Sequence, residues 1–306
     1  MKKTDIEWAD RTFNPITGCL HGCGYCYARN IVRRFEGYYL DCLDESNESD
    51  PPQGIHGMDC EPMEERVLDS PLPYKTKKGK IHAAPYPFGF APTFHRHKLE
   101  RPAKVKEPSN VFVGSMADNF GEWLPEEWQA EVFKACEDAP QHRYLFLTKH
   151  YDGIPPSSFV YSGVFKPHND NFWFGATVTT QKDIERAYRR LTNVEGHTFL
   201  SIEPLHGAIE LRHIDVGDVI YDIGSGYGYY LGGGQKAQRP NWIIIGAETG
   251  SRKGKIKPER EWVEKICEAA DQAGIPVFMK DSLLPVMGAD GMRCEFPEGL
   301  RKEGKK

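Results

Sequence analysis

An α/β fold organised as a partial or complete (β/α) barrel with long loop insertions is predicted by three observations. Short apolar runs recur along the chain, helical stretches separate them, and polar residues end almost every run. Near-continuous apolar runs are what a parallel sheet covered on both faces requires, because neither face of such a strand meets water. The runs are Val111–Gly114, Tyr144–Leu147, Phe172–Val178, Thr198–Ile202, Trp242–Gly246 and Pro276–Met279, after an opening segment Ile6–Ile16. Between them, Pro125–Ala139 opens on Pro-Glu-Glu, good chemistry for a first turn. Gln181–Leu191 carries apolar residues at helical spacing, and Glu259–Ala273 closes on Gly274 as a C-terminal cap. The alternation predicts one barrel domain over residues 1–300 with a charged tail at 301–306.

Three insertions interrupt it, at about 37–108, 150–171 and 222–240. The last is Gly- and Tyr-rich and reads as a flexible surface loop, since it does not follow a strand and open a helix as a dinucleotide loop would. The first is polarised. Glu36 to Pro73 holds eleven acidic residues and one Arg; Tyr74 to Lys106 holds nine Lys/Arg and one Glu, interleaved with Tyr86, Phe88, Phe90 and Phe94. Bases stack on such aromatics while cations such as Arg96, Lys98 and Arg101 hold phosphates, which makes residues 74–106 the expected contact for a nucleic acid. The competing reading is a solvated loop whose acidic and basic halves pair with each other.

A net charge of -5 over 306 residues excludes a wholly basic nucleic-acid binder but not a local basic face. The start, Met-Lys-Lys-Thr-Asp-Ile-Glu-Trp, turns polar before an apolar signal core forms, and no apolar run approaches the roughly 18 residues of a membrane helix. A cytoplasmic protein without membrane contact is expected.

Chemistry concentrates in Gly18-Cys19-Leu20-His21-Gly22-Cys23-Gly24-Tyr25-Cys26-Tyr27, a Cys-x3-Cys-x2-Cys run. Three thiolates on one short loop hold three corners of a cubic [4Fe-4S] cluster and leave the fourth iron open to a substrate. A structural zinc site wants four closed ligands and finds a nearby fourth only in His21, inside the loop. A chain this long buries a sizeable core without disulfide staples. Cys42, Cys60, Cys136, Cys267 and Cys294 are scattered and read as ordinary core or surface residues.

The spacing, with Tyr25 just before the last cysteine, is similar to the signature of radical S-adenosylmethionine enzymes, and the barrel is then of that type. The resemblance implies that the open iron takes the amino and carboxylate groups of S-adenosylmethionine, and that an electron from the cluster cleaves it to a 5'-deoxyadenosyl radical. In barrels, chemistry sits at the C-terminal ends of the strands. Here those ends carry Ser115 and Asp118; Thr148 and Lys149; Thr177, Thr179 and Thr180; Ser201 and Glu203; Glu248 and Thr249; Lys280 and Asp281. A zwitterionic cofactor with a ribose needs acceptors, donors and hydroxyl partners. Ser115 and Asp118 suit its ammonium, Thr177 and Thr179 its ribose or carboxylate, Glu203 and Glu248 ribose hydroxyls or the substrate, and Lys149 and Lys280 an anionic group. Any of these carboxylates in a structural ion pair with either lysine is the alternative.

A narrower resemblance rests on Ile6-Glu7-Trp8, Phe13-Asn14-Pro15-Ile16-Thr17-Gly18-Cys19, Cys26-Tyr27-Ala28, Phe90-Ala91-Pro92-Thr93-Phe94-His95, Ser115-Met116-Ala117-Asp118, Leu147-Thr148-Lys149, Ser201-Ile202-Glu203-Pro204-Leu205 and Gly246-Ala247-Glu248-Thr249-Gly250. These resemble the phage-associated three-cysteine proteins of radical S-adenosylmethionine-like type and unknown function. The resemblance implies Cys19, Cys23 and Cys26 as cluster ligands, Tyr25 flanking the adenine, and a flavodoxin or ferredoxin as electron donor. Where members often show Lys-Gln-Trp-Gly this chain has Lys280-Asp281-Ser282-Leu283, so only Lys280 carries over. A broader likeness is to the radical enzymes that repair spore photoproduct, which makes a nucleic acid or nucleotide the expected substrate. Two rival readings stay open: a barrel glycoside hydrolase with Glu203 and Glu248 as its carboxylate pair, and an iron-sulfur redox or sensor module without radical catalysis.

Overall fold

The computed structural model describes residues 1–35, 66–75, 80–155, 170–194, 196–230, 233–250, 252 and 254–300. Cys42, Cys60, the 301–306 tail, most of the acidic half of the first insertion and most of the 150–171 insertion lie outside them. The chain opens with β1 (Lys2–Lys3), β2 (Arg11–Phe13), β3 (Ile16–Thr17) and α1 (Tyr27–Arg33). β4 (Pro73–Lys75), β5 (Ile81–Ala83), β6 (Thr93–Phe94), β7 (Asn110–Val113), α2 (Glu126–Glu137), β8 (Arg143–Thr148), β9 (Phe172–Val178), α3 (Gln181–Leu191) and β10 (His197–Ile202) follow. β11 (Ile214–Val216), β12 (Val219–Asp222), β13 (Tyr227–Tyr230), β14 (Gly233–Lys236), β15 (Trp242–Ile245), α4 (Arg260–Ala273), β16 (Val277–Met279) and α5 (Leu284–Met287) complete it.

The main sheet has eight strands in the order β1-β2-β7-β8-β9-β10-β15-β16. All its ladders are parallel except β1 with β2. The strands follow one another in chain order, as successive βα units predict, but among the described residues no ladder joins β16 back to β1. The sheet is open. At one margin the two-residue β1 consists of two exposed lysines. At the other, a segment through Arg293–Glu295 lies against β16, with Met279 N donating to Arg293 O (2.8 Å) and Glu295 N to Val277 O (3.0 Å).

Side chains alternate across this sheet with the strand period of two. Val111, Val113, Tyr144, Phe146, Phe172, Phe174, Ile243, Ile245, Val277 and Met279 point to the helical layer, where they meet Trp128, Val132 and Phe133 of α2, Ile184 and Tyr188 of α3, and Val263 and Ile266 of α4. Phe112, Leu145, Trp173, Phe199, Trp242, Ile244 and Phe278 point the other way and pack with Trp8 and Leu300. Each such buried side chain is worth about 1.5–3 kcal/mol. Moving up the inner face, the residues turn polar: Trp173 leads through Gly175 to Thr177, Phe199 to Ser201, Leu145 through Leu147 to Lys149, and Phe278 to Lys280. Register keeps these ends level, with Ser201 opposite Thr177 and Ile245 opposite Met279.

One expectation is corrected. The 222–240 stretch is not a free loop: β11–β14 form a four-stranded antiparallel sheet that begins at Ile214, before the Gly-rich run. Ile214 and Tyr221 tie it to the core, Tyr221 against Tyr188 at 5.3 Å. Within the first insertion, β6 pairs with β3 in a separate two-stranded sheet and Phe94 is completely buried, and the main sheet resumes at β7.

Candidate functional site

The cysteine loop is held by backbone bonds from two distant segments. Gly18 N donates to Met116 O (2.9 Å) and Cys19 N to Phe90 O (3.1 Å). Gly18 has φ +89°, and a Cβ there would sit 2.2 Å from Ala91 O, so the close approach requires glycine. Arg29 braces the loop, its guanidinium lying 4.7 Å from the Phe90 ring centroid and donating to Cys19 O (3.2 Å). Cys26 Sγ caps α1 by accepting from Arg29 N (3.4 Å). Burial pushes the Cys19 thiol up to about 12.

Cys19, Cys23 and Cys26 line a single cavity of about 1140 Å³ over the polar ends of the strands, and they are the only cysteines that line it among the described residues. Cys136 and Cys267 are buried in the core and Cys294 is exposed. Among the described residues no three His, Cys, Asp or Glu side chains are drawn together at metal-holding distance. The donor set still fits an iron-sulfur cluster in its chemistry: three soft, partly exposed thiols on one loop face a roomy cavity, with no closing fourth ligand among the described residues. Among the described residues, two buried polar atoms at that cavity have no partner, Glu7 Oε2 and Ser201 Oγ.

The same cavity gathers Tyr25 of the cysteine loop and most of the predicted strand-end residues: Ser115, Asp118, Lys149, Thr177, Glu203, Glu248 and Lys280. Their side chains are not equally free. Asp118 Oδ2 accepts from His21 Nε2 (2.7 Å) and Lys149 N (2.9 Å), and Oδ1 from Phe120 N (3.0 Å). Burial works to raise its pKa, but these bonds, first that from His21, hold it below the usual carboxylate range. Ser115 Oγ donates to Asn14 Oδ1 (3.1 Å) and accepts from Asn14 Nδ2 (3.0 Å). Tyr25 meets His206 edge to face at 5.4 Å, with Lys149 Nζ 5.7 Å from its ring centroid; burial pushes its phenol up.

Glu203 pairs with Lys280, both partly exposed in the cavity, while Gly246 makes room for them: a Cβ there would lie 3.1 Å from each side chain. Glu7 lies on the same wall, its Oε1 accepting from Asp281 N (3.0 Å); burial pushes its carboxyl up despite that bond and the Lys280 charge. Both oxygens of Glu248 are held by Arg252 at 2.6 Å, and Oε2 also meets His206 Nε2 at 3.3 Å. The expected ion pairing of Glu248 thus occurs with an arginine rather than a lysine, and a carboxylate so held is poorly placed to act as acid or nucleophile.

Thr179 does not line the cavity. Its hydroxyl donates to Asp183 Oδ2 (2.6 Å), which also accepts from Thr179 N (3.0 Å), Thr180 N (3.0 Å) and Thr180 Oγ1 (3.0 Å) as the capping box of α3. Burial acts to raise the Asp183 pKa, but the Thr179 and Thr180 bonds outweigh it and lower it. A depressed folded-state pKa contributes stability that is present above the unfolded value, about 3.9, and is lost as pH falls through the folded value. Asp183→Ala is therefore expected to cost about 1 kcal/mol at neutral pH, and its denaturation midpoint is expected to converge on that of the unmodified protein in acid. A gap that persists undiminished in acid would remove the carboxylate from the cap.

Of the aromatic residues expected to stack on bases, Phe90 is buried beneath Arg29, and Phe94 is buried against Trp128 at 5.3 Å. Their rings belong to the core that carries the cysteine loop. Sequence reasoning did not single out Glu7, Asn14, His206 or Arg252. Glu7 and Asn14 lie inside the motifs that carry the family resemblance, whereas the roles of His206 and Arg252 depend on a shared partner, Glu248.

No helix among the described residues is long and apolar enough to cross a membrane. No curated protein matches the chain. A solved structure described as spore photoproduct lyase complexed with dinucleoside spore photoproduct is similar at 13% identity and a TM-score of 0.36, covering 66% of this chain and 48% of that one. The chain thus spans about half the length of that protein. A family model described as "Protein of unknown function (DUF5131)" matches residues 3–283, and the chain belongs to that family.

Proposed function

We propose that this protein is a radical S-adenosylmethionine enzyme of the phage-associated three-cysteine type, acting in a reducing cytoplasm. In this reading the open sheet is the partial barrel of that class, Cys19, Cys23 and Cys26 hold a [4Fe-4S] cluster, and S-adenosylmethionine occupies the cavity. The observation that carries it is the placement of these three cysteines, and no others among the described residues, at one cavity with the polar ends of the parallel strands. When bound and reduced by a flavodoxin- or ferredoxin-like donor, the cluster supplies the electron for reductive cleavage of S-adenosylmethionine, the source of a hydrogen-abstracting radical.

The chain's own residues bind and orient. Arg29 and the Gly18 approach fix the loop. Ser201 Oγ and Glu7 Oε2, both without partners among the described residues, offer hydrogen bonds to a bound hydroxyl or ammonium; an unmade bond at a buried atom costs about 1–3 kcal/mol, so filling either stabilises the complex. Thr177, buried on the inner face, offers a hydroxyl at the same rim. The Glu203–Lys280 pair presents one acceptor and one donor group to the substrate. Asp118 acts through His21 and the Lys149 backbone, as a positioning residue. The substrate itself is modified or repaired by the radical, a nucleotide or nucleic acid being the class in view.

Anaerobic reconstitution tests this directly. The protein is expected to take up iron and sulfide in equal amounts with a brown chromophore, and to release 5'-deoxyadenosine from S-adenosylmethionine under reduction. Alanine at Cys19, Cys23 or Cys26 should abolish the chromophore, and Cys294→Ala should keep it. Equal loss in Cys294→Ala, or no chromophore in the unmodified protein, would defeat the assignment.

A further inference from the structure

Part of the cavity wall is built of cations that the site above does not use. Lys2, Lys98 and Arg101 line it beside His95 and His97. Neighbouring basic residues are already engaged: Arg96 by Glu131 (2.9 Å) and Asp69 (3.0 Å), Arg11 by Glu107 (2.7 Å), and Lys104 by Glu100. Lys98 is different. It is partly buried, and among the described residues no carboxylate pairs with Lys2, Lys98 or Arg101. The charges acting on Lys98 are Arg101 and Lys2, both cations, and burial followed by these two pushes its ammonium down to about 7. His95 Nε2 is engaged by the Thr17 hydroxyl (3.0 Å) and His97 Nδ1 donates to Leu68 O (3.0 Å). Asp5 also lines the cavity, exposed.

A desolvated cation among cations is unfavourable by itself, and a bound anion reverses the sign. We propose that Lys2, Lys98 and Arg101 form a phosphate site at the cavity wall, which holds the phosphate group of an organic substrate. A carboxylate, a monoanion with two oxygens, is satisfied by one guanidinium fork; three separate cationic groups match the greater charge and the additional oxygens of a phosphate. Size agrees. About 1140 Å³ exceeds the roughly 300–1,000 Å³ of a cleft for one drug-sized ligand, leaving room for a phosphorylated substrate beside a second molecule. That this substrate reacts near the cysteine loop rests on the proposed function; the phosphate site does not.

Calorimetry at low salt with thymidine 5'-monophosphate, thymidine and a short single-stranded oligothymidylate tests it on the protein without cluster. The monophosphate is expected to bind and thymidine not to. Oligonucleotide binding stronger than monophosphate binding would assign the phosphate to a nucleic acid, and the reverse order to a free nucleotide. Lys98→Gln and Arg101→Gln should each weaken phosphate binding about tenfold, the worth of one charge-assisted contact, whereas Arg96→Gln should leave it unchanged. A fold-level control is Lys98→Met, which removes the unpaired cation: its melting temperature should match or exceed that of the unmodified protein, and inorganic phosphate should raise the latter by more than it raises the variant. Cys19→Ala should keep the phosphate affinity, and Lys98→Gln should keep iron uptake, so each assignment fails separately. Equal affinity for thymidine and its monophosphate, or an equal loss in Arg96→Gln, would overturn the proposal.

Discussion

Replacing Asp118 with alanine is expected to lower stability by about 3–5 kcal/mol, the usual cost of removing one partner from a buried, hydrogen-bonded charged group. The carboxylate is 6% exposed and satisfies three N–H donors from three places: His21 in the cysteine loop, Phe120 two residues further along the chain, and Lys149 after β8. Alanine strands all three. An amide in place of the carboxylate keeps the shape but turns one acceptor edge into a donor, facing either Phe120 N or both His21 and the Lys149 amide, so Asp118→Asn should recover only part of the loss. Urea unfolding gives the measurement, with the midpoint falling and the slope unchanged. A double-mutant cycle with His21→Ala should show coupling of about 1 kcal/mol or more, since the two side chains are in direct contact. A loss below about 1 kcal/mol in Asp118→Ala, or additive effects in the cycle, would remove Asp118 from its place as the tie between loop and sheet.

Gly18→Ala is expected to cost about 2–5 kcal/mol. Of this, about 1–2 kcal/mol is the penalty of a side chain at positive φ and about 1–3 kcal/mol the overpacking. The neighbours a Cβ would meet are backbone atoms, Ala91 O and C at 2.2 and 2.4 Å and Phe90 O at 2.7 Å, which have no rotamer to turn aside. Gly22 supplies the control within the same loop. Its φ is +68° but nothing lies within 4 Å of where a Cβ would stand, so Gly22→Ala should show the conformational penalty alone. Thermal melting of the two variants compares them. Equal shifts would mean that the contact with Phe90–Ala91 does not hold the loop.

The frame of this molecule was legible because buried parallel strands leave an unmistakable record. Phe172–Val178 and Gln181–Leu191 match the observed strand and helix residue for residue, and Gly274 closes α4 at φ +68° as its position suggested. Strand-end polarity also translated into space, since parallel register sets residues such as Ser201 and Thr177 side by side. What one sequence does not carry is which partner a polar side chain finds. His21 and Asp118 are 97 residues apart, and Thr179 and Thr177, two residues apart on the chain, part company because one turns to the helix cap. The β11–β14 sheet was missed for a different reason. Its glycines weaken intrinsic strand preference, and the tyrosines of β13 are all exposed, so that strand shows no alternation of apolar and polar residues.

The two margins of the main sheet bear on how copies of this protein meet. An uncovered strand offers a row of unsatisfied amides and carbonyls on which a foreign strand can template, the first step of ordered aggregation. Here β1 ends the sheet after only two residues, both lysines, so an approaching strand meets like charge and little to pair with. Across the sheet, the backbone groups of β16 are already taken by Arg293 and Glu295 of the same chain, and the Glu295 carboxylate accepts from Val277 N (2.9 Å) as well. Stripping away the segment after Met292 would expose β16 and turn a self-terminated sheet into one that recruits its neighbours.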